Sequence, residues 1–160
     1  MRILVTGGLG FIGSALVRKL IDSKNYEILN IDSCTYAAMP ESLEGRENNE
    51  RYQFKKIDVS DYNAVNKAIK EFKPNKIFHL AAESHVDRSI HNPMDFILTN
   101  VIGTVNLLDI SRSYWENNYK DKLFYHVSTD EVYGSLGKDG FFVESTPYDP
   151  QSPYSSSKAS

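Results

Sequence analysis

Short runs rich in apolar residues alternate along the chain with segments whose apolar positions recur every three or four residues. Arg2 to Thr6, Tyr26 to Asp32, Tyr52 to Ile57, Lys76 to Ala82 and Leu123 to Ser128 read as strands, each closed by polar or turn-forming residues. Phe11 to Ser23 carries Ile12, Leu16, Leu20 and Ile21 at helical spacing. Ser60 is placed to cap a helix whose Val65, Ala68, Ile69 and Phe72 form one stripe, and Pro74 ends it. Asp95 to about Tyr114 reads as one long helix, with Ile97, Val101, Val105 and Leu108 as its core stripe and Gly103 as a close-packing position. A final helix opens at Ser152-Pro153, a serine cap followed by proline in the first turn. Only the polar stretch Glu41 to Glu50 lacks periodicity.

Strands that alternate with helices predict a parallel sheet with right-handed crossovers. The expected fold is α/β, a Rossmann-type doubly wound sheet of order 3-2-1-4-5, with ligands at the carboxyl ends of the strands. A flavodoxin-like winding would leave the glycines after strand one unexplained. In this order strand five ends the sheet as an open edge, so the fold reads as incomplete on its C-terminal side.

Composition narrows the partners. The chain has 160 residues, 41% of them hydrophobic, enough for one domain with a real core. A net charge of -3 gives no electrostatic footprint for nucleic acid or an anionic membrane. The apolar run at the N-terminus stops at glycines and is too short for a signal segment or a membrane span. Cys34, the lone cysteine, has no internal disulfide partner, which fits a reducing, cytoplasmic setting. The four histidines (His79, His85, His91 and His126) have no ligand spacing, so no metal site is expected; His79 and His126 read as core or hydrogen-bonded strand residues.

Gly7, Gly10 and Gly13 form GxxGxxG directly after a strand and at the opening of an amphipathic helix. Glycines let the backbone approach a pyrophosphate, and the helix start offers unpaired N–H groups with a favourable dipole. Asp32 closes strand two about 20 residues further on, where a carboxylate accepts the adenosine ribose hydroxyls and repels a 2′-phosphate. Ser33, not an arginine, follows it, so NAD is expected rather than NADP. Asp58 and Val59 close strand three, where the acid reads equally as a contact to adenine and as a turn initiator.

Tyr154 and Lys158 form YxxxK, and so do Tyr52 and Lys56. On a strand that spacing spans roughly 13 Å, whereas on a helix it brings the two side chains to about 5–6 Å. Only Tyr154 and Lys158 can cooperate, with the ammonium lowering the phenol from about 10 toward a useful base. Ahead of them, "STDEVYG" sets Asp130 and Glu131 side by side where an apolar strand ends.

Together, "VTGGLGFIGS", "HLAAESHVDRSI", "STDEVYG" and "SPYSSSKAS" resemble the extended short-chain dehydrogenase/reductase family over essentially the whole chain. "STDEVYG" is similar to a motif of its nucleotide-sugar dehydratases, and "HLAAESHVDRSI" favours a dTDP-glucose substrate. The resemblance implies that Thr129, Tyr154 and Lys158 are catalytic, that Glu131 removes the C5 proton, and that Asp130 protonates the departing 6-hydroxyl. Two close carboxylates push their pKa values apart, as that division of labour needs.

By the same likeness Phe11, Ile12, Asp32, Ser33, Cys34, Thr35, Asp58, Val59, Ala81, Ala82 and Thr99 line NAD with the glycines, Tyr154 and Lys158. Ser84 and Thr129 touch the sugar, and His85 is a further candidate there. The likeness also implies a homodimer for the complete protein. Residues 1–160 would be its NAD-binding domain, reaching into the YxxxK helix, with a nucleotide-sugar-binding domain beyond residue 160 and no competent enzyme without it. A nucleotide-sugar epimerase or decarboxylase, and a non-catalytic NAD-binding fragment, stay open as alternatives.

Overall fold

The computed structural model describes residues 1–116 and 118–160. Strand β1 (Arg2–Thr6) is buried from Ile3 to Thr6, so both of its faces are covered, as a central parallel strand requires. It pairs in parallel with β2 (Glu27–Asp32) on one side and β4 (Lys76–His79) on the other; β3 (Tyr52–Lys56) adds to β2 and β5 (Leu123–His126) to β4. The order β3-β2-β1-β4-β5 is the expected doubly wound one, with β3 and β5 at the edges.

The chain divides into two compact units, Met1–Ala81 with Ile102–Val127, and Ala82–Val101 with Ser128–Ser160. The first holds the sheet. On one face Ile3, Val5 and Ile28 pack with Val17 and Ile21 of helix α1 (Phe11–Asp22). On the other, Leu4, Leu29, Ile31 and Ile77 pack with Val65 and Ile69 of α2 (Tyr62–Phe72) and with Leu107 and Ile110. The second unit contains α3 (Val86–His91), α4 (Pro93–Phe96) and α6 (Pro153–Ala159), and α6 packs against both of the others.

Three local expectations are corrected. In α1 the buried line runs through Gly13, Ser14, Val17 and Ile21, while Ile12 is 63% exposed; the small residues let the helix settle on that face. The cap of α2 is Asp61, the residue directly before its first turn, whose Oδ1 accepts from Ala64 N at 3.0 Å, while the Ser60 hydroxyl donates to Asp58 Oδ1 at 2.8 Å. The single long helix is three segments: α4, a π-helical segment Ile97–Ile102, and α5 (Gly103–Trp115).

α5 packs on α2 with Leu107 and Ile110 in the shared core, while Gly103 and Asn106 meet Val59 and Ser60 ahead of α2. Ile97, Val105 and Leu108, expected in the core, are 39%, 53% and 48% exposed. Gly103 is the close-packing position the sequence marks: a Cβ there would stand 2.5 Å from Val59 Cγ2.

Candidate active site

Gly7 leaves β1 with φ +70°, and a Cβ at that position would lie 2.6 Å from Ala81 N, so both conformation and packing demand glycine. Gly13 lets the first turn of α1 close on the Gly7 carbonyl. Gly10 differs: its Cβ would meet only Gly7 O, at 3.4 Å. The space above Gly10 is therefore left by the protein itself. Gly10 is also the N-cap of α1 and makes no side-chain cap, so the first-turn N–H groups are offered outward, flanked by exposed Phe11 and Ile12.

Asp32 ties this loop to the turn after β2. Its Oδ2 accepts from Leu9 N at 2.9 Å and its Oδ1 from Cys34 N at 2.8 Å, which puts Cys34 at φ +58°. Each carboxylate oxygen keeps acceptor capacity for another donor. Ser33 and Thr35 flank that turn, half-buried and exposed respectively. Asp58 lies on the surface and its Oδ1 accepts from both Ser60 N and Ser60 Oγ, the arrangement of a turn initiator. Val59 is a core residue, 3% exposed, which leaves only its backbone to meet a ligand. Ala81 N donates to Thr6 Oγ1, and that hydroxyl is 2.7 Å from His79 Nδ1, so His79 is a bonded core residue.

This first unit therefore has an uncapped helix start, a cleared space and a carboxylate with spare lone pairs, the parts a dinucleotide's pyrophosphate and ribose need.

In the second unit Thr129 caps the 3₁₀ turn Asp130–Tyr133, accepting from Glu131 N at 3.3 Å. Asp130 and Glu131 are both exposed at its start, and α6 packs against this turn. The helix begins with a reciprocal cap: Ser152 Oγ accepts from Ser155 N, and Ser155 Oγ from Ser152 N. Tyr154 follows Pro153 inside that first turn, its ring edge-on to Phe96 at 6.3 Å. Lys158 lies one turn on, on the same side of the helix. Ala82, Ser84, His85 and Thr99 also belong to this unit; Ser84 and His85 are exposed at the start of α3, and Thr99 is half-buried on the π-helical segment.

The electrostatics differ from the simple YxxxK expectation. Burial raises Tyr154 above the usual 10, hydrogen bonding with Thr129 pulls it back, and Glu131 and Asp130 raise it further. Burial pushes the ammonium of Lys158 down to about 8. Burial first, and then two carboxylates from a distant stretch of chain, set a raised phenol where YxxxK spacing leads one to expect a lowered one.

Asn100 escaped the sequence reading. It is 4% exposed on the π-helical segment; its Oδ1 accepts from Glu83 N at 2.9 Å, and its Nδ2 donates to Glu83 O at 2.9 Å and Ser157 Oγ at 2.8 Å. An amide brackets the residue beside Lys158. Its one signal is a polar residue within the otherwise apolar "FILTNVIG".

The family model described as GDP-mannose 4,6 dehydratase matches residues 4–160. The dTDP-glucose 4,6-dehydratase of Haemophilus influenzae is 49% identical over 164 aligned residues, 99% of this chain and 48% of that protein. The crystal structure of dTDP-glucose 4,6-dehydratase from Bacillus anthracis in complex with NAD superposes with a TM-score of 0.86 at 42% identity, covering 99% of this chain and 47% of that one. UDP-glucose 4-epimerase from Thermus thermophilus, also complexed with NAD, gives 0.84 at 32% identity, over 99% and 48% of the two chains. The chain spans about half the length of the curated relatives it matches. Dehydratases and epimerases share this fold, so the fold does not choose between them.

Proposed function

The chain belongs to the GDP-mannose 4,6 dehydratase family, and from that premise we propose that it forms the NAD-binding part of a nucleotide-sugar dehydratase acting on dTDP-glucose. The adjacent carboxylates Asp130 and Glu131, on the turn capped by Thr129 and in the same compact unit as Tyr154, carry this reading. An epimerase removes no water and has no use for a paired acid and base. Gly7, Gly10, Phe11, Ile12 and Gly13 would hold the pyrophosphate of NAD, and Asp32, Ser33, Cys34 and Thr35 its adenosine ribose. The Asp58 and Val59 backbone would meet adenine; Ala81, Ala82, Thr99, Tyr154 and Lys158 would hold the nicotinamide end.

When bound, NAD supplies an acceptor for the hydride of C4 and returns that hydride to C6. Tyr154 takes the proton of the sugar 4-hydroxyl, once positive charge, Lys158's included, offsets the burial and the two carboxylates that raise its phenol. The 4-ketone acidifies C5–H, Glu131 removes that proton, Asp130 protonates the 6-hydroxyl as it leaves as water, and Glu131 gives its proton back to C5 as C6 is reduced. Ser84, His85 and Thr129 orient the sugar. A nucleotide-sugar-binding domain outside residues 1–160 completes the grip on substrate, and cytoplasmic placement follows from the lone cysteine. The exposed apolar line of Ile102, at the end of the π-helical segment, with Val105 and Leu108 of α5 supports a homodimer of the complete protein.

The test uses the full-length protein with a panel of nucleotide-hexoses. The dTDP-glucose reaction should yield a 4-keto-6-deoxy sugar, and Glu131→Gln should accumulate reduced cofactor without loss of water. Exchange of the C5 proton with solvent at the parent rate in Glu131→Gln would remove Glu131 from the base role.

A further inference from the structure

Three consecutive loop residues rest on β2. Gly7 N donates to Ile31 O at 2.9 Å and Leu9 N to Asp32 Oδ2 at 2.9 Å. Gly8 is not one of the motif glycines. It lies against the Asn30 side chain so closely that a Cβ would overlap the amide oxygen and stand 2.5 Å from Asn30 Cγ and 2.8 Å from Nδ2. Asn30 is fully buried on the face of β2 that carries Ile28, inside an apolar core. Its Nδ2 donates to Tyr52 Oη at 3.0 Å, while its Oδ1 has no partner. Burial of Tyr52 raises its phenol, and the bond from Asn30 partly offsets that.

An unpaired amide oxygen is an expensive way to fill a core, since a branched aliphatic chain would leave no polar atom without a partner. A planar amide has what a tetrahedral aliphatic carbon lacks: a flat face on which a glycine Cα can lie. Tyr52, reaching from the neighbouring strand, holds that plane in one orientation.

We propose that Asn30, oriented by Tyr52, is a positioning residue for the cofactor: its amide is the seat of Gly8 and sets the height at which Gly10 and the first turn of α1 meet a pyrophosphate. This rests on the dinucleotide-binding reading above. Neither residue touches the ligand; both act through the loop.

A double-mutant cycle on the full-length protein tests it, reading NAD affinity by calorimetry and the ligand-free unfolding midpoint separately. Gly8→Ala should weaken binding by about tenfold or more, because the new methyl group lifts the loop off the amide. In the Asn30→Ala background, where the three obstructing atoms are gone, the same change should cost about threefold or less. Tyr52→Phe, which frees the amide to turn, should weaken binding while the loop sequence is intact.

An equal Gly8→Ala penalty in both backgrounds overturns the inference. So does a set of variants that lowers the unfolding midpoint but leaves the affinity of the folded protein unchanged. If Gly8→Ala alone does not fold, recovery of folded, NAD-binding protein in the double variant is the same coupling, and failure to recover overturns it. A parent protein that binds no NAD overturns the dinucleotide reading itself, an outcome distinct from binding without coupling.

Discussion

Replacing Asn100 by leucine keeps the shape of the side chain and removes every hydrogen bond it makes. Ser157 Oγ still donates to Tyr154 O at 2.7 Å, so it is not stranded. The Glu83 N–H and C=O each lose their bond to Asn100, both 2.9 Å. The three lost bonds are worth about 1 kcal/mol net each, for a total of roughly 2–4 kcal/mol. The added apolar surface returns about 1 kcal/mol, leaving a loss of roughly 1–3 kcal/mol.

For a chain of this size that corresponds to a fall in the unfolding midpoint of about 3–10 °C. Urea unfolding measures the loss, and hydrogen exchange at the Glu83 amide reports whether the bracket itself has opened. Because Ser157 precedes Lys158, kcat should fall with the bracket, beyond any effect on the amount of folded protein. A stability change below about 0.5 kcal/mol with Glu83 exchange unaltered would show that the bracket carries no weight.

Lys158 should give the protein a pH-dependent stability. The native chain releases this proton near pH 8, against an ordinary value of 10.5 in the unfolded chain. Between those values the unfolded state binds more protons, so stability rises with pH across that window and the full penalty of burying the charge applies below it. Lys158→Met should be more stable than the parent at pH 7 and should lack the rise; parallel urea-midpoint profiles of the two proteins from neutral pH to just below pH 10 would refute the burial argument. Asp32 should make the protein prefer NAD to NADP by at least about tenfold, or 1.4 kcal/mol, in calorimetric titration. Equal affinities would take Asp32 out of the ribose contact.

Much of this protein is written in short range. The strands and helices themselves follow from their periodicity, Gly7 from a turn that needs φ +70°, and the start of α6 from Ser152 and Pro153, all decided within a few residues. What failed to show were features whose cause lies far along the chain. Both faces of the stretch from Ile97 to Ile110 carry apolar residues, so periodicity alone does not say which is inward; in α5 it is the face of Leu107 and Ile110, which pack into the core that holds Val65 and Ile69. A lysine one turn from Tyr154 argues for a lowered phenol, yet Asp130 and Glu131 and the burial of the ring set the opposite direction.

Asn30 carries no signal of its own within its strand; its part emerges only where Gly8 folds down onto it. In each case local chemistry chose the element, while its rotation, its neighbours and its charge state depended on residues that only the folded chain brings together. Backbone geometry is a property of a few consecutive residues; packing phase and electrostatics are sums over everything nearby in space.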